Sequence, residues 1–348
     1  MQTEANEPAA HDRAIACWLG CLFATLFALV LVGGITRLTG SGLSMVDWRP
    51  LMGVLPPIGE AQWREVFAAY KTSPQYLEVN QWMQLDDFKR IFFWEYFHRL
   101  MGRTIGLVAF VPWLYFSLGK RLASWLSYRV VVAIALGGVQ GLLGWYMVRS
   151  GLVDRPEVSH LRLAAHLLLA FFIAQWILWT LLDLRWGRVP MTSALTNIPV
   201  LGLLSMVAVQ ILYGAFMAGT RAGVLFPTFP DMNGLYAPGP FFPHASLTQN
   251  LLYSPVAIHY IHRAIGFALL AYATGLLFAQ RRSQLSPNWV QYQFGLVLLL
   301  QFVLGAATAL YRAPLPFAIA HQAGAFALAC SATLLAHRTA ATRSGYSL

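Results

Sequence analysis

Charged residues are sparse along this chain, and the stretches between them set its architecture. Uncharged runs fill residues 14–36, 130–148, 196–220, 287–311 and 313–336. Each supplies the roughly 20 apolar residues that a helix needs to cross a membrane's hydrocarbon core. Three further segments, 91–119, 163–182 and 255–280, cross only if a few polar residues are admitted inside them. Those residues are Glu95, His98, Arg99, Arg103, His166, His259, His262 and Arg263. The pattern predicts an all-α polytopic membrane protein of eight transmembrane helices. The loop over 37–90 is long, with Pro-rich turns and amphipathic stretches at 60–70 and 76–89. The loop over 221–254 is rich in Pro, Gly and Phe.

Composition agrees. The 348 residues are 57% hydrophobic and 11% charged, against roughly 25% charged in soluble domains. The net charge of +10 could suggest a nucleic-acid partner, but its distribution points to a lipid bilayer instead. With the N-terminus inside, the inner segments carry ten Lys/Arg against four Asp/Glu, and the longer outer loops eleven against nine. Basic excess in short inner segments sets both termini on the cytoplasmic side. The N-terminal tail is acidic and lacks a signal peptide's basic start, so the first helix is expected to remain as an anchor. Cys17, Cys21 and Cys330 fall in predicted helices, where small packing residues are expected.

The chain repeats itself. WEYFHRLMGR (94–103) matches AIHYIHRAIGF (257–267) at His-Arg, and VQGLLGW (139–145) matches LQFVLGA (300–306). LRLAAHLLLA (161–170) matches PFAIAHQAGA (316–325) at the histidine, and GGITRLTGSGLSM (33–45) can be laid on GAFMAGTRAGVLF (214–226). Four matches in one order predict two pseudo-symmetric four-helix bundles. The expected division is an N-terminal tail, 1–13; a first half, 14–184; an inner linker, 185–198; a second half, 199–336; and a C-terminal tail, 337–348.

Four histidines are the candidate chemistry. His98, His166, His262 and His321 should each fall about 8–11 Å below the outer surface, at about 1.5 Å per residue. Intramembrane polar groups are costly and mark function. Paired histidines on facing helices of a bundle suit a cofactor, and imidazole ligates haem iron. His259 is a second candidate ligand one turn before His262, and the repeat favours His262. His11, His160, His244 and His337 read as loop or tail residues. Arg99, Arg103 and Arg263 could meet haem propionates as bidentate partners or extend toward the interface.

Glu95 breaks the repeat, because His259 is its counterpart. One turn before His98, Glu95 shares its side of the helix. It either handles protons or developing positive charge beside a cofactor, or is neutralised by Arg99 or Arg103. Both Glu95 and the long outer loop belong to the first half, which suggests unequal roles for the halves.

The motifs RLTGSGLSMVDWRPLMG (37–53), FKRIFFWEYFHRLMGR (88–103), RLAAHL (162–167) and FMAGTRAG (216–223) resemble the haem A synthase family of proteobacterial and mitochondrial type. The resemblance covers most of 15–335. It implies oxidation of the C8 methyl of haem O to a formyl group, giving haem A for terminal oxidases. By resemblance, His98 and His166 match the haem O site and Glu95 the catalytic glutamate, while His262 and His321 hold a resident haem b. Haem O synthase, a farnesyltransferase, would supply the substrate, and a ferredoxin-like protein the electrons. A bacterial inner membrane is expected, with the mitochondrial inner membrane as second choice. A homo-oligomer is left open. The cysteine pair that some bacterial members carry in the first outer loop is absent, which argues against a thiol step. The competing classes are a di-haem quinol-oxidising cytochrome, a haem carrier and a two-repeat transporter.

Overall fold

The computed structural model describes residues 10–46, 54–153, 155–236, 246–283 and 288–343. Its helices are α1 (Ala10–Leu38), α2 (Gly59–Lys71), α3 (Leu85–Leu118), α4 (Ser124–Val153), α5 (His160–Trp186) and α6 (Met191–Leu195), then α7 (Ile198–Thr220), α8 (Leu247–Tyr253), α9 (Pro255–Ser283), α10 (Asn288–Leu310) and α11 (Leu315–Arg343). Eight of them, α1, α3, α4, α5, α7, α9, α10 and α11, are long and apolar enough to span a membrane. Among the described residues there is no strand, only one isolated bridge between Met232 and Leu235.

The spans pack as two closed rings. In one, α1 meets α3, α3 meets α4, α4 meets α5 and α5 returns to α1; in the other, α7, α9, α10 and α11 do the same. The rings join through α5 with α7 and α11, and through α1 with α11. Lipid tails remove most of the hydrophobic drive for helix association, so small residues and hydrogen bonds must hold such contacts. Gly219 of α7 accordingly lies against His160 of α5, where an added Cβ would come 2.4 Å from the His160 Cβ. Gln322 of α11 packs on Gly34 of α1 and donates from Nε2 to the Val30 carbonyl at 2.8 Å.

Charges tie the rings at both ends. At one end, Glu157 pairs with Arg221 at 2.7 Å and Arg37 at 3.9 Å, while Arg37 also donates to the Gly219 carbonyl. At the other, buried Asp183 of α5 meets Arg129 Nη1 at 2.5 Å and His337 Nε2 of α11 at 3.0 Å, and accepts from the Val189 amide. The reading of His337 as a tail residue is therefore corrected: α11 runs on to Arg343, and His337 is fully buried between Trp179 and Asp183. His160 opens α5 and contacts the Leu252 carbonyl, so it is not a solvated loop residue either. His11 lies in α1. His244, the tail 1–9, residues 47–53 and 344–348 lie outside the described residues. Cys17 and Cys21 face outward from α1 rather than packing, whereas Cys330 lies beside Gln175.

Removing one member of a buried ion pair leaves the other charge uncompensated, at a cost of about 3–5 kcal/mol. Asp183→Ala should therefore lower the thermal stability of the detergent-solubilised protein markedly. An unchanged melting curve would show that this cluster does not join the rings energetically.

The long first loop folds as a cap beside α3. α3 begins at Leu85, so residues 85–90 are helix and His98 is reached only after about four turns, against about two for the other three histidines. Phe67 and Tyr70 of α2 stack on Phe88 of α3 at 5.0 and 5.1 Å. Asn80 donates to the Tyr70 hydroxyl, Tyr70 to Gln75, and Gln75 to the Gly40 carbonyl, which fastens the cap to the end of α1. Burial pushes the Tyr70 phenol above its usual range, so it stays a neutral link in this chain.

Candidate functional site

The α-helical repeat puts residues three or four apart on one side, and both candidate sites are built on that spacing. In the second ring, His262 of α9 and His321 of α11 face each other with ring centroids 6.4 Å apart and planes at 85°. That separation suits two imidazoles on opposite faces of one metal, given a metal–nitrogen distance of about 2 Å on each side. In the first ring, His98 of α3 and His166 of α5 are close enough to interact electrostatically.

Each histidine rests on a glycine of the preceding span. An added Cβ at Gly33 of α1 would lie 3.0 Å from His98, and at Gly144 of α4 3.0 Å from His166. At Gly214 of α7 it would lie 3.3 Å from His262, and at Gly305 of α10 2.9 Å from His321. The imidazoles thus occupy the space a side chain would fill. Three of these rings also face the main-chain carbonyls of Gln140, Gln210 and Gln301, one turn before the glycines. The buried Nδ1 of His166, His262 and His321 makes no hydrogen bond. A ligand histidine is usually oriented by just such a second nitrogen facing a carbonyl.

These glycines and glutamines were not singled out by reading the sequence for charge. Their signal is the triplet QGLLG (140–144), QILYG (210–214) and QFVLG (301–305), with an aliphatic LVLVG at 29–33. Only the close approach in three dimensions gives that spacing a meaning.

Glu95 is buried at 2% exposure and fully engaged. Its Oε2 accepts from Ser44 Oγ at 2.7 Å and from the Met45 amide at 2.8 Å, and its Oε1 from Arg99 Nη2 at 2.6 Å. Arg99 Nη2 also donates to the Met45 carbonyl. Of the two partners open to Glu95, the ion pair is with Arg99. The second ring repeats the device without the acid. Arg263 Nε donates to His259 Nε2 at 2.9 Å, and His259 Nδ1 contacts the Ala222 carbonyl. Arg263 Nη2 donates to the Phe226 carbonyl, and Phe226 aligns with Met45 in the repeat. Arg263 Nη1 meets the Thr228 and Asp231 carbonyls. Both arginines thus clamp the segment after the preceding span over the site. Arg103 lies one turn past Arg99 and is half-buried.

Two pairs of membrane histidines, each ring seated against a glycine of the neighbouring span, fit a haem iron between two axial imidazoles. The eight spans define a polytopic membrane protein. The family model described as cytochrome oxidase assembly protein, COX15-CtaA, matches residues 16–333. The chain belongs to this family. It is similar to proteins named haem A synthase: one from Parvibaculum lavamentivorans, 41% identical over 335 residues (95% of this chain, 96% of that protein); one from Rhodopseudomonas palustris strain BisA53, 43% identical over 318 residues (89% and 87%); and one from Flavobacterium johnsoniae, 39% identical over 338 residues (94% and 98%).

Proposed function

We propose that this protein is a haem A synthase, an oxidoreductase that converts haem O to haem A by oxidising the C8 methyl to a formyl group for terminal oxidase assembly. The observation that carries the mechanism is the inequality of two otherwise matching sites: a buried carboxylate stands beside one histidine pair and a neutral imidazole beside the other.

In this reading, His98 and His166 hold the haem O substrate in the half spanning 14–184. His262 and His321 hold a resident haem b in the half spanning 199–336, with 185–198 as linker. Iron porphyrin supplies the redox chemistry when bound. The chain's own residues orient it and manage charge. Glu95 keeps a fixed negative charge one helical turn from His98, held by Ser44, the Met45 amide and Arg99. Such a preorganised charge stabilises positive charge developing at a reacting carbon. Arg99, Arg103 and Arg263 supply positive charge on the same side as the first-loop cap, where propionates would share Arg99 and Arg263 with the acceptors these already hold. Arg281 and Arg282 end α9, Arg185 ends α5 and Arg343 ends α11, all on the opposite side. This supports cytoplasmic termini in a bacterial inner membrane. A farnesyltransferase would deliver haem O, and a ferredoxin-like donor the electrons.

The test is to purify the protein with its porphyrins and extract them for mass analysis. Haem O, a hydroxylated derivative and haem A are expected beside haem b. Haem b alone, with normal haem A production in a Glu95→Ala strain, would instead support an electron-transfer cytochrome.

A further inference from the structure

The two rings of spans close differently on their lipid side. Of the three seams in each ring that do not border the other ring, the one between the second and third spans is the least closely packed. These seams are α3/α4 in the first ring and α9/α10 in the second. Both are tied near the inner end, by Trp113 Nε1 donating to Ser127 Oγ at 3.1 Å and by Arg281 donating to the Tyr292 hydroxyl. Nearer the histidines, the second ring adds an aromatic closure. Phe267 of α9 and Phe302 of α10 meet edge to face at 5.2 Å, and Phe229 lies against both, at 5.7 and 5.8 Å. Arg263, which holds the carbonyls on either side of Phe229, lies 5.9 Å from that ring's centre.

The repeat puts different residues at these positions in the first ring. The His-Arg match sets Arg103 where the second ring has Phe267, and the match of 139–145 to 300–306 sets Gly141 where it has Phe302. A Cβ added at Gly141 would meet no atom within 4 Å. The Arg103 guanidinium lies within electrostatic reach of Arg99 and Tyr96, one and two turns nearer the outer end. Trp48, the counterpart of Phe229, lies outside the described residues. Gly141 is one turn from Gly144, against which His166 rests with its buried Nδ1 unpartnered. Where two rings close α9 on α10, the matching level of α4 is therefore bare beside a candidate ligand.

The substrate's chemistry gives that difference a use. A porphyrin held with its propionates at the arginine end turns its opposite, apolar edge inward, toward the level of Gly141. An isoprenoid chain on that edge is as well solvated by lipid tails as by apolar side chains, so it needs only an exit. We infer that the α3/α4 seam at Gly141 is a lateral opening that passes the isoprenoid tail of the substrate into the bilayer, and that Phe229, Phe267 and Phe302 keep the matching seam shut over the resident haem. This rests on the substrate reading above. The pair at these positions, Arg103 with Gly141 or Phe267 with Phe302, then decides which ring accepts a tailed porphyrin.

The test compares the porphyrins extracted from full-length protein purified from cells that make haem O, with the resident haem b spectrum as the control for folding. Gly141→Phe should lower bound haem O by about tenfold or more, the effect of a modest steric misfit. It should keep the resident haem b and still take added haem b, which has no tail, into the first half. Gly138→Phe, at another bare glycine of α4 whose counterpart Leu299 is exposed, should leave haem O content unchanged. Phe302→Gly should speed transfer of the resident haem to apomyoglobin by about tenfold or more. Gly141→Leu serves in place of the phenylalanine if that variant loses the resident haem. Parental haem O content with the bulky residue at 141, an equal loss in Gly138→Phe, exclusion of haem b along with haem O, or a parental transfer rate in Phe302→Gly would overturn the inference and leave the synthase reading intact. Parent protein that holds only haem b and takes up no added haem O would overturn the synthase reading, and this inference with it.

Discussion

Glu95→Gln is expected to lower haem A formation by about 10²–10³-fold, the usual effect of losing one preorganised electrostatic group, while the second-half haem stays in place. Glutamine keeps the shape and can still accept from Ser44 and the Met45 amide, while its amide nitrogen faces the Arg99 guanidinium, so the change removes the charge together with the Arg99 hydrogen bond. Glu95→Ala should be at least as inactive, but it strands the Arg99 guanidinium, the Ser44 hydroxyl and the Met45 amide without their acceptor. An unpartnered buried donor costs about 1–3 kcal/mol, and more for a charged group. Alanine should therefore also loosen the cap that Ser44 and Met45 anchor. The readouts are haem A made per cell and haem b retained per purified chain. Near-parental synthesis in Glu95→Gln would mean that the carboxylate only holds Arg99 and the cap in place.

His262→Ala and His321→Ala are each expected to abolish retention of the resident haem, and Gly305→Val should do the same with both histidines intact. Even a single Cβ at Gly305 would come 2.9 Å from His321 Cε1. Valine adds two methyls to that contact and is stiff at χ1, so the ring has to leave its cradle. At 6.4 Å between ring centroids the pair has little slack. Losing an axial ligand changes the haem spectrum outright. The measurement is the reduced-minus-oxidised spectrum per chain, with chain content set by protein stain and folding by thermal stability. A Gly305→Val protein with a full low-spin haem spectrum would refute the cradle. Gly305→Ala, with one methyl, should give partial loss.

The inequality of the halves was partly open to reading and partly not. Glu95 opposite His259 is a plain sequence difference, and so is the long first loop. That Glu95 chooses Arg99 over Arg103 was not legible, because both lie on the same side of α3 and the choice depends on where Ser44 and Met45 fold back. His337 was misplaced for a related reason. It follows an apolar run and precedes Arg338, so it looks like the start of a tail. Its burial depends on Asp183, more than a hundred residues away in sequence.

By itself, the sequence determined the spans, the duplication, the four histidines and the site of the acid. Each of these follows from local periodicity and from the cost of polar groups in hydrocarbon. Tertiary structure alone decided which glycine lies under which ring and that the buried Asp183 cluster joins the two rings. Those facts depend on how closely two helices approach and on which atoms meet there. Hydropathy does not encode a helix separation, and a glycine becomes a cradle only when an imidazole from another span comes to rest on it.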